Sequence, residues 1–520
     1  MASQIPLRTA GRRTSTLAGV SLLALASGCS TLPQARPAPG PLPAAFYDLP
    51  QQSADATPAL TRTAASDMSA WWQRFDDPLL DRLVSEAVAA NTSLRQAVLR
   101  VKEARALSRQ TVAAYAPILA LGARGEYTQV IEGPPLVGSF QSFITGGGQR
   151  QIVQEDQQMY AAGGPQVAWE IPLFPRLEAA AEGARSNARA AMEEVRAAQV
   201  ALTGDITLAY VNLRLSQNRR QILRDAAAAS SELADIVEQS AAAGIAAPAD
   251  AADARRLAEN VRARIPDAQL EVSTYTGQIA LLRGLAPGAD PITAALVAPQ
   301  GALVRMPTLP VAATPAAPAD LLRLRPDIMQ AEARVGVAAA DLGIARVDLL
   351  PQLRLTGGIT VADNVLGSAL PERAVQLGLT PQISIPLIGW GQRMAAVRAR
   401  DARFDQALLQ YQEVVNRGVA EAQGNLTALA QAHLRLQAAR AAEDAAMRQN
   451  EGARALWSSG ISSLADRLRS DQQVLDARLA RIEAEAIQAR AAIGVYRAFG
   501  GGAPDLGAVR AAERQIPARG

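Results

Sequence analysis

From Asp77 to Tyr115 apolar residues recur every three or four positions, at Leu79, Leu80, Leu83, Val84, Ala87, Val88, Leu94, Ala97, Val98 and Val101. That is the period of a helix with one buried face. Pro117 ends the helix, and the period drops to two. Leu119, Leu121, Ala123, Gly125 and Tyr127 alternate with residues that include Arg124 and Glu126. A second run sets Val167, Trp169 and Ile171 against Gln166, Ala168 and Glu170. Both runs predict strands with one apolar face. An alanine-rich stretch without proline follows, from about 176 to 241; as a helix at 1.5 Å per residue it reaches roughly 100 Å. So long a helix of small residues gains stability mainly by close packing on partner helices. Gly244 ends it, and Pro248 opens another helix predicted to run to Leu282. Residues 285–320 are proline-rich and without period, and read as a connecting region.

The same programme then repeats. Arg325-Pro326-Asp327 opens a helix that Pro351 closes. Leu353, Leu355, Gly357, Ile359 and Val361 alternate with Gln352, Arg354, Thr356, Gly358 and Thr360 as a third strand. Leu377, Leu379, Ile383 and Ile385 alternate with Gln376, Gly378, Gln382 and Ser384 as a fourth. After Pro386 a second long helix runs from about 392 to 457, and a last helix ends near Phe499. Gly244-Ile245 matches Gly460-Ile461 at an offset of 216, and Gly284 matches Gly500 at the same offset. Two repeats, 71–284 and 321–500, therefore flank the connecting region, with a tail at 501–520.

The N-terminus adds a location. Arg8, Arg12 and Arg13 precede an apolar stretch, Leu17 to Ala26, too short to span a bilayer. It ends in Leu25-Ala26-Ser27-Gly28-Cys29-Ser30, which is similar to the lipobox of bacterial lipoproteins, although Ala26 stands where leucine is usual. Residues 1–28 then form a signal peptide, and Cys29, the only cysteine of the chain, becomes the lipidated N-terminus. Ser30 in place of aspartate points to the outer membrane. Residues 29–70, rich in proline, alanine, serine and threonine, form a tether. No later stretch offers about 20 uninterrupted apolar residues, so any spanning element is a β-barrel.

Composition narrows the function classes. The 52 basic and 49 acidic side chains nearly cancel, leaving +3, without the basic stripe that nucleic acid requires. A single histidine, His433, excludes histidine triads and multi-histidine metal sites. Glu193-Glu194, and Glu483 with Glu485, sit on charge-rich helices and read as solvated faces. Gly146-Gly147-Gly148 lacks the setting of a phosphate loop, and Ser458-Ser459-Gly460 that of a nucleophile elbow. No constellation here supports an enzyme, and no cofactor is expected beyond the lipid on Cys29. A coiled-coil filament explains the anchor and the long helices but not four amphipathic strands at matching places. Alternation alone also fits ordinary hairpins; as barrel staves, four cannot close. Outer-membrane barrels start at about eight strands, so three copies supplying twelve would be required.

Several motifs in order resemble the outer-membrane factor family of TolC, OprM and NodT type over about 70–500. They are Phe75-Asp77-Pro78-Leu80, Trp169-Glu170-Ile171-Pro172-Leu173-Phe174, Arg323-Leu324-Arg325-Pro326-Asp327 and Ile385-Pro386-Leu387-Ile388. The resemblance implies a mainly α chain with a small β part, and a homotrimer whose twelve-stranded β-barrel continues into a long-helix α-barrel. It also implies docking to a periplasmic adaptor (a membrane fusion protein) and an inner-membrane pump of RND type. The chain is then a passive gated conduit for drugs or other small molecules, set in the outer membrane and extending into the periplasm. In that family the closed end lies at the turns between long and short helices, here 241–253 and 457–469. Gly244, Ile245, Gly460 and Ile461 fall at the tips, where the adaptor would make contact. Asp250 and Asp466, each six residues past its glycine, match constricting aspartates; three copies of two carboxylates form acidic rings that favour cations over anions. The same aspartates equally suit the first turn of a helix. Asp253 corresponds to Arg469, which allows an Asp–Arg latch between neighbouring helices.

Overall fold

The structure, a computed structural model, describes residues 68–129, 157–289, 291–297, 301–307, 318–366 and 374–504, with short pieces at 37–38, 40–43, 46, 61–62, 138–139, 151–152 and 313–314. The signal peptide, Cys29, most of the tether and the tail beyond 504 lie outside the described residues.

Helix α1 (Pro78–Ala90) starts where Asp77 accepts hydrogen bonds from Leu79 N and Leu80 N, with proline in the first turn. One helix was expected from Asp77 to Tyr115, but the chain breaks at Asn91 and resumes as α2 (Thr92–Ala113). The physical reason is Asn91 itself. Its side-chain oxygen accepts from Leu94 N at 2.9 Å while its amide donates to Leu282 O at 2.8 Å, capping α2 and closing a distant helix end. Strands β1 (Ile118–Gln129) and β2 (Gln157–Ile171) follow, then α3 (Arg176–Ala242). The single helix expected from 248 to 282 is also two, α4 (Pro248–Ala263) and α5 (Ile265–Leu282). Pro266 has no N–H for the ladder, so the first helix stops ahead of it. Among the described residues of the connecting region lies a short α-helix, α6 (Pro291–Val297). The second repeat gives α7 (Pro326–Val347), β3 (Gln352–Leu366), β4 (Ala374–Ser384), α8 (Trp390–Ser458) and α9 (Leu464–Ala498). With no counterpart of Pro266, α9 runs unbroken. Among the described residues no helix is long and apolar enough to cross a membrane.

The chain forms two compact units. One, residues 105–187 and 334–408, holds an antiparallel sheet in the order β1-β2-β3-β4. Register aligns its side chains in rows. Leu119, Val167, Gly357 and Leu379 lie across from one another, as do Trp169, Leu355 and Pro381, and Ile171, Leu353 and Ile383. The opposite face carries Ala168, Thr356 and Thr380 in one row and Glu170, Arg354 and Gln382 in another. Both long helices are tied to Asp348 where they leave the sheet: Arg176 forms an ion pair with its carboxylate, and Arg393 donates to its carbonyl.

The other unit, residues 39–104, 188–333 and 409–520, is helical. Trp71 stacks on Tyr496 at 4.9 Å between centroids, beside Phe75, Leu80, Leu83 and Phe499, all buried. Tyr210 donates to Asp77 at 2.5 Å and accepts from Arg214 at 2.9 Å, so the α1 cap is held by α3. Burial raises the Tyr210 hydroxyl pKa, which keeps it a donor.

Candidate functional site

Two surfaces carry the functional argument, and each lies within one unit. The first is the apolar face of the sheet. Leu119, Leu121, Leu377, Leu379 and Ile383 are exposed in the single chain, against the usual preference of such residues. Strands β1 and β4 are edges, each paired on one side only. Unpaired ladder groups cannot remain so in lipid. A single chain therefore leaves a sheet with lipid-compatible side chains and two open edges.

The second surface is the pair of turns joining α3 to α4 and α8 to α9. Both turns close alike. Gly244 N donates to Ala241 O at 3.0 Å and Ile245 N to Ser240 O at 2.8 Å; Gly460 N donates to Trp457 O at 2.9 Å and Ile461 N to Leu456 O at 2.9 Å. This is the Schellman arrangement, which places its central residue in the left-handed region. The glycines sit there at φ 73 and 70, a conformation costly for any other residue. Ile245 and Ile461 end up 83% and 74% exposed at the tips.

The two turns pack together. Leu233, Ala234, Val237, Ala251, Ala254 and Ala258 form a buried seam, against which Ala246, Trp457, Leu464 and Leu468 rest. Each hairpin also has a polar clamp. Arg255 donates to Glu238 at 2.7 and 2.6 Å, which lowers the Glu238 carboxyl pKa, and to Asp235 at 2.7 Å. Arg454 donates to Asp471 at 3.0 and 2.7 Å. Arg454 and Asp471 lie 216 residues after Glu238 and Arg255, so the two clamps are the same pair with the charges exchanged. The sequence reading missed them, although the offset of the glycines would have found them. Arg467 lies over the Trp457 ring at 4.0 Å, and burial lowers its guanidinium pKa despite the neighbouring Asp471. A cleft of about 330 Å³ is lined by residues of both hairpins, Leu233, Ile236, Val261, Arg467 and Leu475 among others.

Asp250 lies in the first turn of α4 and Asp466 in the first turn of α9. The Ser463 hydroxyl donates to the Asp466 carboxylate at 2.6 Å and accepts from Asp466 N at 3.2 Å, a reciprocal cap. That bond, with Arg469 at 3.1 Å, holds the Asp466 carboxyl below its ordinary range. The helix-start reading of Asp466 is therefore realised in detail. The Asp253–Arg469 latch is not formed within one chain: Asp253 pairs with Arg256 at 3.3 Å and Arg469 with Asp466, each inside its own helix. Neighbours three apart on a helix are within reach at little ordering cost.

An incomplete sheet with an exposed apolar face, followed by paired long helices that end in charged turns, defines a subunit of an outer-membrane channel. The sequence matches the outer membrane efflux protein family over residues 83–284 and 317–501, and the chain belongs to that family. It is an outer-membrane component of an efflux system, extending into the periplasm. Proteins of this family form trimers and work with adaptor and inner-membrane partners. Among its relatives, "Probable outer membrane lipoprotein SilC" of Salmonella typhimurium is 25% identical over 94% of this chain and 98% of that protein. "Toluene efflux pump outer membrane protein TtgF" of Pseudomonas putida is 26% identical over 93% and 96%. Among solved structures, the outer-membrane channel OprN superposes with a TM-score of 0.75 at 27% identity, covering 91% of this chain and 99% of that one.

Proposed function

We propose that three copies of this chain close one twelve-stranded barrel and a helical conduit, and that the conduit is shut at rest by the turns bearing Asp250, Asp253, Asp466 and Arg469. The observation that carries this is the four-stranded sheet with lipid-compatible residues exposed on one face and both edges open. The exposed Ile245 and Ile461, beside Gly244 and Gly460, are the contact points for a periplasmic adaptor coupled to an RND-type pump. The pump supplies the energy, and this subunit supplies the route and makes no covalent change to its cargo. The acidic rings of Asp250 and Asp466 would concentrate cations at the entrance. Lipid on Cys29 anchors the N-terminus, a reading that the SilC name supports.

Three measurements test this. Electron microscopy of the detergent-purified mature protein is expected to show three-fold hollow particles end-on, and compact single copies or solid rods would overturn it. In planar bilayers the protein is expected to be mostly closed, with Asp250→Asn/Asp466→Asn opening more often and losing cation preference. Incorporation of labelled palmitate that persists in Cys29→Ser would remove the anchor from Cys29.

A further inference from the structure

The cleft shared by the two hairpins has apolar walls and one cation left over. Ile222, Leu233 and Val261 line it from the first hairpin, and Val474 and Leu475 from α9. Arg467 joins this lining near the start of α9. A guanidinium has five N–H donors, yet among the described residues Arg467 makes no hydrogen bond, and its Nε is buried without a partner. The Asp471 carboxylate stands 3.7 Å from that Nε, beyond hydrogen-bond reach. Asp471 is engaged elsewhere, accepting from Arg454 at 3.0 and 2.7 Å and from Asn450 at 2.8 Å. The Trp457 ring, 4.0 Å from the guanidinium, attracts the charge through its face but offers no lone pair to the donors.

The repeat does not require a cation here. At the offset of 216, Arg467 and Trp457 correspond to Ala251 and Ala241, so the first hairpin fills the same place with methyl groups. The other charged groups of the lining are partnered or open to water. Asp225 accepts from Gln221 at 2.8 Å, Arg478 faces Glu443 at 3.8 Å, and Glu232 is exposed on α3. A half-buried cation with unused donors is costly unless an acceptor is supplied. At about 30 Å³ for each water-sized group, the 330 Å³ of the cleft holds roughly eleven such groups.

We propose that this cleft binds a small anionic amphiphile, a carboxylate on an alkyl chain of about eight to ten carbons, with the carboxylate on Arg467 and the chain along Leu233, Val261 and Leu475. Apolar walls with one fixed charge have the make-up of a small-molecule site. The carboxylate supplies the lone pairs that the guanidinium lacks; a neutral chain leaves those donors unused, and a cationic one is repelled. Since the walls come from both hairpins, the occupant bridges them and stabilises their packed arrangement by linkage. The site lies within one chain and stands independently of how the conduit closes.

The test uses the full-length protein in lipid nanodiscs, titrated at neutral pH with 10-bromodecanoate, whose bromine quenches a nearby tryptophan. Saturable quenching is expected above the linear background from acid dissolved in the bilayer, and the saturable part should vanish in Trp457→Phe. Arg467→Gln removes a charge-assisted hydrogen bond and should weaken binding by roughly ten- to hundredfold, with Arg467→Lys keeping part of it. Ile236 lines the cleft and is 48% exposed, so Ile236→Phe should fold normally and reduce binding by occupying volume with Arg467 in place. 10-Bromodecanol should show no saturable phase, and decyltrimethylammonium should not compete. Absence of a saturable phase, or one that survives Arg467→Gln or is matched by the alcohol, overturns the proposal. Stronger competition by hexadecanoate, the length that phospholipids release, than by decanoate overturns the assigned size. Slower hydrogen exchange at 233–237 and 464–468 with the acid bound supports the bridge, and quenching without any such slowing counts against it.

Discussion

The seam at the turns offers a direct test of the proposed closure of the conduit. Ala254 is 1% exposed, with Leu233, Ala234 and Val237 of α3 in the same cluster and Leu464 and Leu468 of α9 packed against it. Ala254→Leu adds three carbons at a buried position. Leucine and alanine are both good helix formers, so the change acts through packing. Overpacking a tight core costs about 1–3 kcal/mol. If opening separates the hairpins, that strain is relieved in the open state. The closed-to-open ratio should then fall by roughly 5- to 150-fold per subunit, at 1.4 kcal/mol per factor of ten. Val237→Ala moves the same equilibrium from the other side. It removes about two buried methyl groups, roughly 1–2 kcal/mol of closed-state packing before any cavity cost. Single-channel recording of the purified trimer in planar bilayers measures both effects as opening frequency. If both variants stay trimeric and open no more often than the parent, the seam does not part during opening, and the gate must be placed elsewhere.

Other consequences are as direct. Gly500 (φ 74) and Gly284 (φ 76) close α9 and α5, and a Cβ would stand 2.5 Å from Leu324 O at the first and 2.8 Å from Ala90 O at the second. Alanine at either costs about 1–2 kcal/mol of left-handed strain before the clash, so Gly500→Ala should lower the yield of folded trimer more than Gly284→Ala; equal yields would refute the ranking. Arg325, nearly buried, donates to Ala498 O at 2.7 Å, to Asp327 at 3.0 and 2.8 Å and to Glu421 at 2.7 Å. Arg325→Met leaves the buried Ala498 carbonyl without its donor and should cost about 1–3 kcal/mol, read as a lower thermal midpoint, with Arg325→Lys recovering only part. The Asp466 carboxyl is held below the ordinary carboxylate range by the Ser463 hydroxyl and Arg469, so its contribution to the α9 start is complete above that range and fades as pH falls through the lowered value. Acidification to about pH 3 should increase hydrogen exchange at 463–467, and Asp466→Asn should abolish that dependence.

Local chemistry made much of this protein legible in one dimension. A period near 3.6 or of two needs no partner to be read, and so strands β1 and β4 and the two long helices fall close to their expected limits, whereas β2 begins at Gln157, well ahead of the alternation read from 166. The four glycines at 244, 284, 460 and 500 are similarly local, because only a left-handed residue completes a helix end of this kind, and all four have positive φ. Repetition at a fixed offset then supplied the architecture. Other features depended on groups far apart in the chain. Asn91 breaks a periodic helix because Leu282 O, 191 residues away, is there to accept its amide. On helices rich in arginine and acid, many pairings satisfy the spacing. Only the observed packing selected Arg219 with Glu483 across the seam, and only it kept Asp253 and Arg469 on their own helices. Sequence by itself determined the elements, their order and their duplication, since those follow from backbone preference and from which face is apolar. The tertiary structure decided which charges meet and which apolar faces remain bare, since both depend on the angle and register at which helices cross.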